Sequence, residues 1–156
     1  MAKTLAEIAE MMRDIDFAML STHSDGGTIA SRPMSNNRDV EYDGDNWFFS
    51  LANTRLIDDI RANPKVSLGF QAKAGFLKLK PVFVSIEGTA ALLTGKAVFK
   101  EHWNADLDMY FEGGIDTPGL MLIHVRGDRA HYWDGDDQGD LVLAGASAES
   151  VATPTG

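Results

Sequence analysis

Short apolar runs broken by turn residues constrain this chain more than any other feature of it. Phe17-Ala-Met-Leu-Ser-Thr-His, Thr28 to Asn36, Trp47-Phe-Phe-Ser-Leu, Val66-Ser-Leu-Gly-Phe-Gln, Val82 to Leu93, Leu120 to Val125 and Ala130 to Trp133 have the length and content of strands. Between them stand Asp25-Gly26-Gly27, a hairpin turn signal, and Tyr42-Asp-Gly44-Asp, a second turn. Gly88 marks a bulge or bend inside the long strand. Many short strands must dispose of their open edges, and curling into a closed or half-open barrel does so.

Helices are few. Thr4-Leu-Ala-Glu7 is a capping box, followed by Leu5, Ile8, Ala9 and Met12 at helical spacing, which predicts a helix over residues 4–13. Thr54 to Ala62 carries Leu56, Ile57 and Ile60 on one face and stops at Asn63-Pro64. Lys96 to Phe111, with Val98, Phe99, Trp103 and Leu107, is compatible with a third helix. Helices that do not alternate regularly with strands argue against a doubly wound parallel sheet. The expectation is a mainly β fold with peripheral α, a loop over residues 72–80 and no internal repeat.

At 156 residues the chain is one domain's length and can bury a real core. From Asp134 the character changes. The acid run at 134–140 reads as a solvated loop, and Ala144 to Gly156 has no aromatic residue to offset its ordering entropy. The ordered domain is therefore expected over residues 1–143 and a disordered tail over 144–156. No cysteine is present, so disulfides, thiolate metal sites and a cysteine nucleophile are excluded. No apolar run reaches the roughly 18 residues of a membrane span. Glu7 and Glu10 interrupt any signal-peptide-like stretch, and a cytoplasmic location is expected. The net charge of −9 argues against nucleic acid as a partner. Yet eight of the fourteen Lys and Arg fall between Arg32 and Lys80, room for a local anion site in the first half.

His23, His102, His124 and His131 are scattered and form no close metal pair. Neither a phosphate-binding glycine loop nor a nucleophile elbow is present. The informative segment is Ser50-Leu-Ala-Asn53-Thr54-Arg55, where a strand ends in a hydroxyl residue and a polar turn opens a helix. Backbone N–H groups at a helix start attract anions, hydroxyls add donors, and Arg55 brings a planar fork that suits phosphate. The same residues also make an ordinary cap, with Asn53 or Thr54 bonding the helix start and Arg55 solvated. The segment by itself leaves both readings open. Arg32-Pro33 can likewise be an edge position that Pro tolerates, Trp47-Phe48-Phe49 plain core, and Trp133 a barrel plug.

Trp47-Phe-Phe-Ser50-x-x-x-Thr54-Arg55 with Ile60 and Asn63-Pro64-x-Val66 resembles the phosphate-binding segment of the pyridoxamine 5′-phosphate oxidase-related FMN-binding split barrels. Arg32-Pro33-Met34-Ser35 resembles the flavin-edge strand of the general stress protein branch of that family. Val84-Ser-Ile-Glu87-Gly88 resembles its long central strand, and His131-Tyr132-Trp133-Asp134 its closing aromatic strand. The four motifs occur in order and cover about residues 4–134. The resemblance implies a six-stranded antiparallel split β-barrel that forms a homodimer and binds FMN between subunits. Carried over by position, Ser50, Asn53, Thr54 and Arg55 would hold the flavin phosphate, and Arg32, Pro33 and Met34 would lie along the isoalloxazine. Trp133 would be contributed from the partner subunit. Many members carry Lys after the Arg, where this chain has Leu56, and the oxidases proper end in a substrate-gripping Arg-Leu segment that has no match here. An efficient pyridoxamine phosphate oxidase is therefore not expected. A flavin-dependent oxidoreductase of unknown substrate is the main implication. A non-enzymatic flavin store, or the same fold holding haem or a deazaflavin, are the alternatives.

Overall fold

The structure, a computed structural model, describes residues 2–38, 40–72 and 80–143. The tail expected over 144–156, and most of the loop expected over 72–80, lie outside these residues. The chain opens with α1 (Leu5–Met12), capped as its sequence demands: the Thr4 hydroxyl accepts from Glu7 N at 3.2 Å, and the Glu7 carboxylate accepts from Thr4 N at 2.9 Å. Ile8, Ala9, Met11 and Met12 are buried where α1 packs across the sheet.

Six strands follow one antiparallel path. They are β1 (Phe17–His23), β2 (Ile29–Ser35), β3 (Asp45–Leu51), β4 (Lys65–Ala72), β5 (Val82–Leu93) and β6 (Leu120–Asp134), in the order β2-β1-β4-β5-β6-β3. The sheet curls into a half-barrel with few helices, an antiparallel split β-barrel. Gly26 and Gly27 turn the chain from β1 into β2 at φ 69° and 78°, conformations that cost glycine little. Helix α2 (Arg55–Ala62) follows β3 and ends before Pro64, and α3 (Lys96–His102) follows β5.

Three sequence expectations need correction. The last two predicted strands are one 15-residue strand, β6. The polar stretch Arg126-Gly-Asp-Arg129 does not end it, because β5 pairs with both halves and a register shift between Glu87 and Gly88 absorbs the extra residue. The bend expected at Gly88 is this shift. The acid run at 134–140 is not a solvated loop. It is a tight turn with Gly135 at φ 66°, followed by a seventh strand, β7 (Asp137–Val142), paired to the second half of β6. Cations offset its charge: Lys3 lies 3.3 Å from Asp134, Lys80 2.6 Å from Asp136 and Arg129 2.8 Å from Asp140. The helix predicted over 96–111 breaks at Trp103, whose ψ is 142°. Asn104 then caps a separate 3₁₀ turn, its side chain accepting from Asp106 N at 3.0 Å, a local bond that competes with helix continuation.

The main core fills the half-barrel, with Leu20, Leu68, Ile86, Ile123 and Tyr132 among its fully buried side chains. A smaller core of Phe49, Phe99, Leu107, Leu120 and Leu122 lies on the other side of β3 and β6. Two cores explain why Leu120 to Val125 is apolar without alternation, since both of its faces are covered. Among the described residues no helix is long and apolar enough to cross a membrane.

Candidate functional site

The site begins where β3 runs into α2. Ser50 lies one residue from the strand end, with its hydroxyl 3.4 Å from that of Thr54. Thr54 is the helix N-cap: its hydroxyl donates to the Leu51 carbonyl at 2.9 Å and accepts from Ile57 N at 3.4 Å. Asn53 is exposed in the intervening turn. Arg55 is the first helical residue and is exposed, and its Nε donates to Ser24 Oγ at 2.8 Å. Among the described residues its two terminal nitrogens have no partner. An exposed guanidinium, the Ser50 hydroxyl and a helix start are donors suited to a phosphate monoester, while the one hydrogen of the Thr54 hydroxyl is committed to Leu51.

One turn further along α2 lies Asp59, a buried carboxylate with 5% exposure. It accepts from Thr22 Oγ1 at 2.8 Å and from Ser24 Oγ at 3.0 Å, and its Oδ2 lies 3.4 Å from Arg32 Nη2. Burial alone would raise the Asp59 carboxyl. The hydroxyl bonds from Thr22 and Ser24, with the charges of Arg32 and Arg55, outweigh it and hold the group below its ordinary value. Arg32 Nη1 also donates to Thr22 Oγ1 at 2.8 Å and to the carbonyls of Leu20 and Ala30 at 3.2 Å each. Two guanidiniums and one buried carboxylate thus tie β1, β2 and α2 together and leave one net positive charge, on the exposed Arg55.

The sequence-derived candidates divide. Ser50, Asn53, Thr54 and Arg55 come together at the start of α2, and Arg32 joins them through Asp59. Pro33 and Met34 lie on opposite faces of β2, Pro33 exposed and Met34 buried in the main core. Trp133 stands apart, 41% exposed at the far end of β6, opposite Phe83 on β5. Asp59, Ser24 and Thr22 are missing from the sequence-derived set. Asp59 was detectable in principle, as an acid on the same helical face as Leu56 and Ile60. The two hydroxyl residues carried no such signal, because only the β1–β2 hairpin brings them to α2. A cleft of about 870 Å³ lies elsewhere, lined by Met12, Arg13, Asn36, Tyr42, Trp47 and Trp103 among others, and none of the candidate residues lines it. Among the described residues no cluster of three potential metal ligands occurs.

The family model described as pyridoxamine 5′-phosphate oxidase like matches residues 3–155. Protein bli-3 of Neurospora crassa is 24% identical over 136 residues, which is 81% of this chain and 62% of that protein; the chain thus spans less than two thirds of this curated relative. Three solved structures share the fold. A Clostridium acetobutylicum protein related to general stress protein 26 has a TM-score of 0.75 at 20% identity, over 90% of this chain and 95% of that one. The general stress FMN/FAD binding protein of Xanthomonas citri has a TM-score of 0.69 at 24% identity, over 85% and 89%. A heme binding protein of Mycobacterium smegmatis has a TM-score of 0.71 at 16% identity, over 91% of this chain and 59% of that one.

Proposed function

This chain belongs to the pyridoxamine 5′-phosphate oxidase-like family, and on that premise we propose that it binds FMN as a homodimer and serves as a flavoprotein of the general stress type. The carrying observation is Arg55: an exposed guanidinium at a helix start, held at Nε, with both terminal nitrogens without a partner among the described residues and with Ser50 at the end of the strand that leads into the same helix. That donor set suits the doubly ionised phosphate of FMN, the charged group that riboflavin lacks. Bound there, the flavin would supply hydride or electron transfer, and the chain's own residues would anchor and orient it. Met34 and Arg32 serve the ring only through their backbone in this reading, since the Met34 side chain is core and the Arg32 guanidinium is committed to Asp59. Flavin chemistry on an unidentified substrate is the activity proposed.

Dimerisation draws support from the outer face of the sheet. Phe17, Met19, Phe83 and Trp133 lie on that face and are 51%, 46%, 37% and 41% exposed. Large apolar side chains grouped on one sheet face mark an association surface. A second copy covering it would bring the partner's outer strands, Trp133 among them, to the flavin.

The test is a thermal-shift titration of the full chain. A ligand bound only by the folded state at about 100 times its Kd stabilises by roughly 2.7 kcal/mol. FMN should raise Tm and riboflavin far less. Equal shifts from both would rule out a phosphate anchor, and a Soret band in the purified protein would replace flavin by haem.

A further inference from the structure

Resting on the phosphate-anchor reading of Arg55, we propose that Asp59 is a positioning residue which, through the Ser24 hydroxyl, sets the orientation in which Arg55 meets the phosphate. The inference starts from proton accounting. A serine hydroxyl has one hydrogen and two lone pairs, a carboxylate only accepts, and a guanidinium only donates. Ser24 Oγ lies 3.0 Å from Asp59 Oδ1 and 2.8 Å from Arg55 Nε. Its hydrogen therefore points to Asp59, and a lone pair faces the Arg55 Nε–H. No other arrangement satisfies all three groups. Asp59 thus fixes the rotation of the Ser24 hydroxyl, taking its hydrogen and keeping a lone pair on the Arg55 side.

Holding Nε consumes the side edge of the guanidinium and fixes its plane. The two terminal nitrogens are left, and they form the end-on fork of a bidentate phosphate contact. Asp59 does this without opposing the incoming anion, because Arg32 sits 3.4 Å from its other oxygen and balances its charge. Its second hydroxyl donor, Thr22 at 2.8 Å, completes its partners. Leu56 brings no further cation to the first turn of α2, so recognition of the phosphate depends on how well one guanidinium is aimed. The predicted consequence is selectivity for the phosphorylated over the unphosphorylated flavin.

The experiment measures Kd for FMN and for riboflavin on the full-length chain, by quenching of flavin fluorescence, in single and double variants. Losing one aiming hydrogen bond should weaken FMN about three- to tenfold. Ser24→Ala should do this and leave riboflavin unchanged, Ser24→Thr should restore FMN binding, and Asp59→Asn should match Ser24→Ala without adding to it. In an Arg55→Ala background Ser24→Ala should have no further effect. If Arg55→Ala weakens FMN while Ser24→Ala and Asp59→Asn leave it unchanged or tighter, the positioning role is refuted and the phosphate anchor stands. Equal losses for FMN and riboflavin, or additive losses with Arg55→Ala, reduce Asp59 to a structural ion-pair partner. If Arg55→Ala leaves FMN unchanged, the anchor itself is wrong and the proposal falls with it. Should Asp59→Asn fail to fold, the Ser24→Ala and Ser24→Thr pair decides alone.

Discussion

Arg32 Nη2 and Asp59 Oδ2 lie 3.4 Å apart, a partly buried ion pair that fastens strand β2 to helix α2. The pair gives stability an acid limb. Asp59 has a folded-state pKa below its unfolded value, so its contribution is fully present above the ordinary carboxylate range and is lost as pH falls through the folded value. Tm should fall on acidification through that range, and Asp59→Asn should flatten this limb. Removing one partner of such a pair costs about 3 kcal/mol, at the low end for buried pairs because Arg32 is partly solvated. A variant whose Tm-against-pH curve overlays the wild type would remove Asp59 from the account of acid stability.

Arg55→Ala should weaken FMN by about tenfold to more than a hundredfold, the range of a hydrogen bond to a charged group at about 1.5–3 kcal/mol. Riboflavin binding should hardly change. Arg61, exposed in the last turn of the same helix, is the control, and Arg61→Ala should leave both affinities in place. Equal losses from the two substitutions would point to a diffuse positive field in place of a directed contact.

Gly88 tolerates no side chain where β5 crosses the register shift. A Cβ there would stand 2.7 Å from the Arg126 carbonyl oxygen and 2.9 Å from a Val125 methyl. The first contact is backbone held in the β5–β6 ladder and cannot rotate away. Gly88→Ala should therefore destabilise by about 1–3 kcal/mol, as overpacking does, seen as a lower midpoint in urea with an unchanged slope. A wild-type midpoint would mean that the two strands can part without cost.

Charge placed on the outer sheet face should disperse the proposed dimer. Met19→Glu or Trp133→Glu exchanges exposed apolar surface for a carboxylate that a closed interface could not hydrate. Sedimentation should show the 17.0 kDa monomer for either variant and twice that mass for the parent chain. Phe83→Ala, cross-strand to Trp133, should weaken association less, because it removes contact area without adding charge. A parent chain that sediments as a monomer with FMN bound would end the homodimer reading.

Local chemistry was enough for much of this fold. The capping box of Thr4 and Glu7, the glycines at 26 and 27 and the helix opening at Thr54 depend on neighbours within a few residues, so their patterns were legible in the chain itself. What spans distance was not. Leu120 to Asp134 became one strand because β5 supplies partners along its whole length, and the acidic segment after it became a turn and strand because β6 and distant cations accept it. The same division runs through the candidate site. The sequence could place Ser50, Thr54 and Arg55 at a helix start, since strand, turn and helix are contiguous there. That Arg32 spends its guanidinium on Asp59, and that Ser24 connects Asp59 to Arg55, follows only from folding β1, β2 and α2 together. A buried carboxylate takes whichever donors tertiary packing brings within about 3 Å, and no spacing along the chain records which those are.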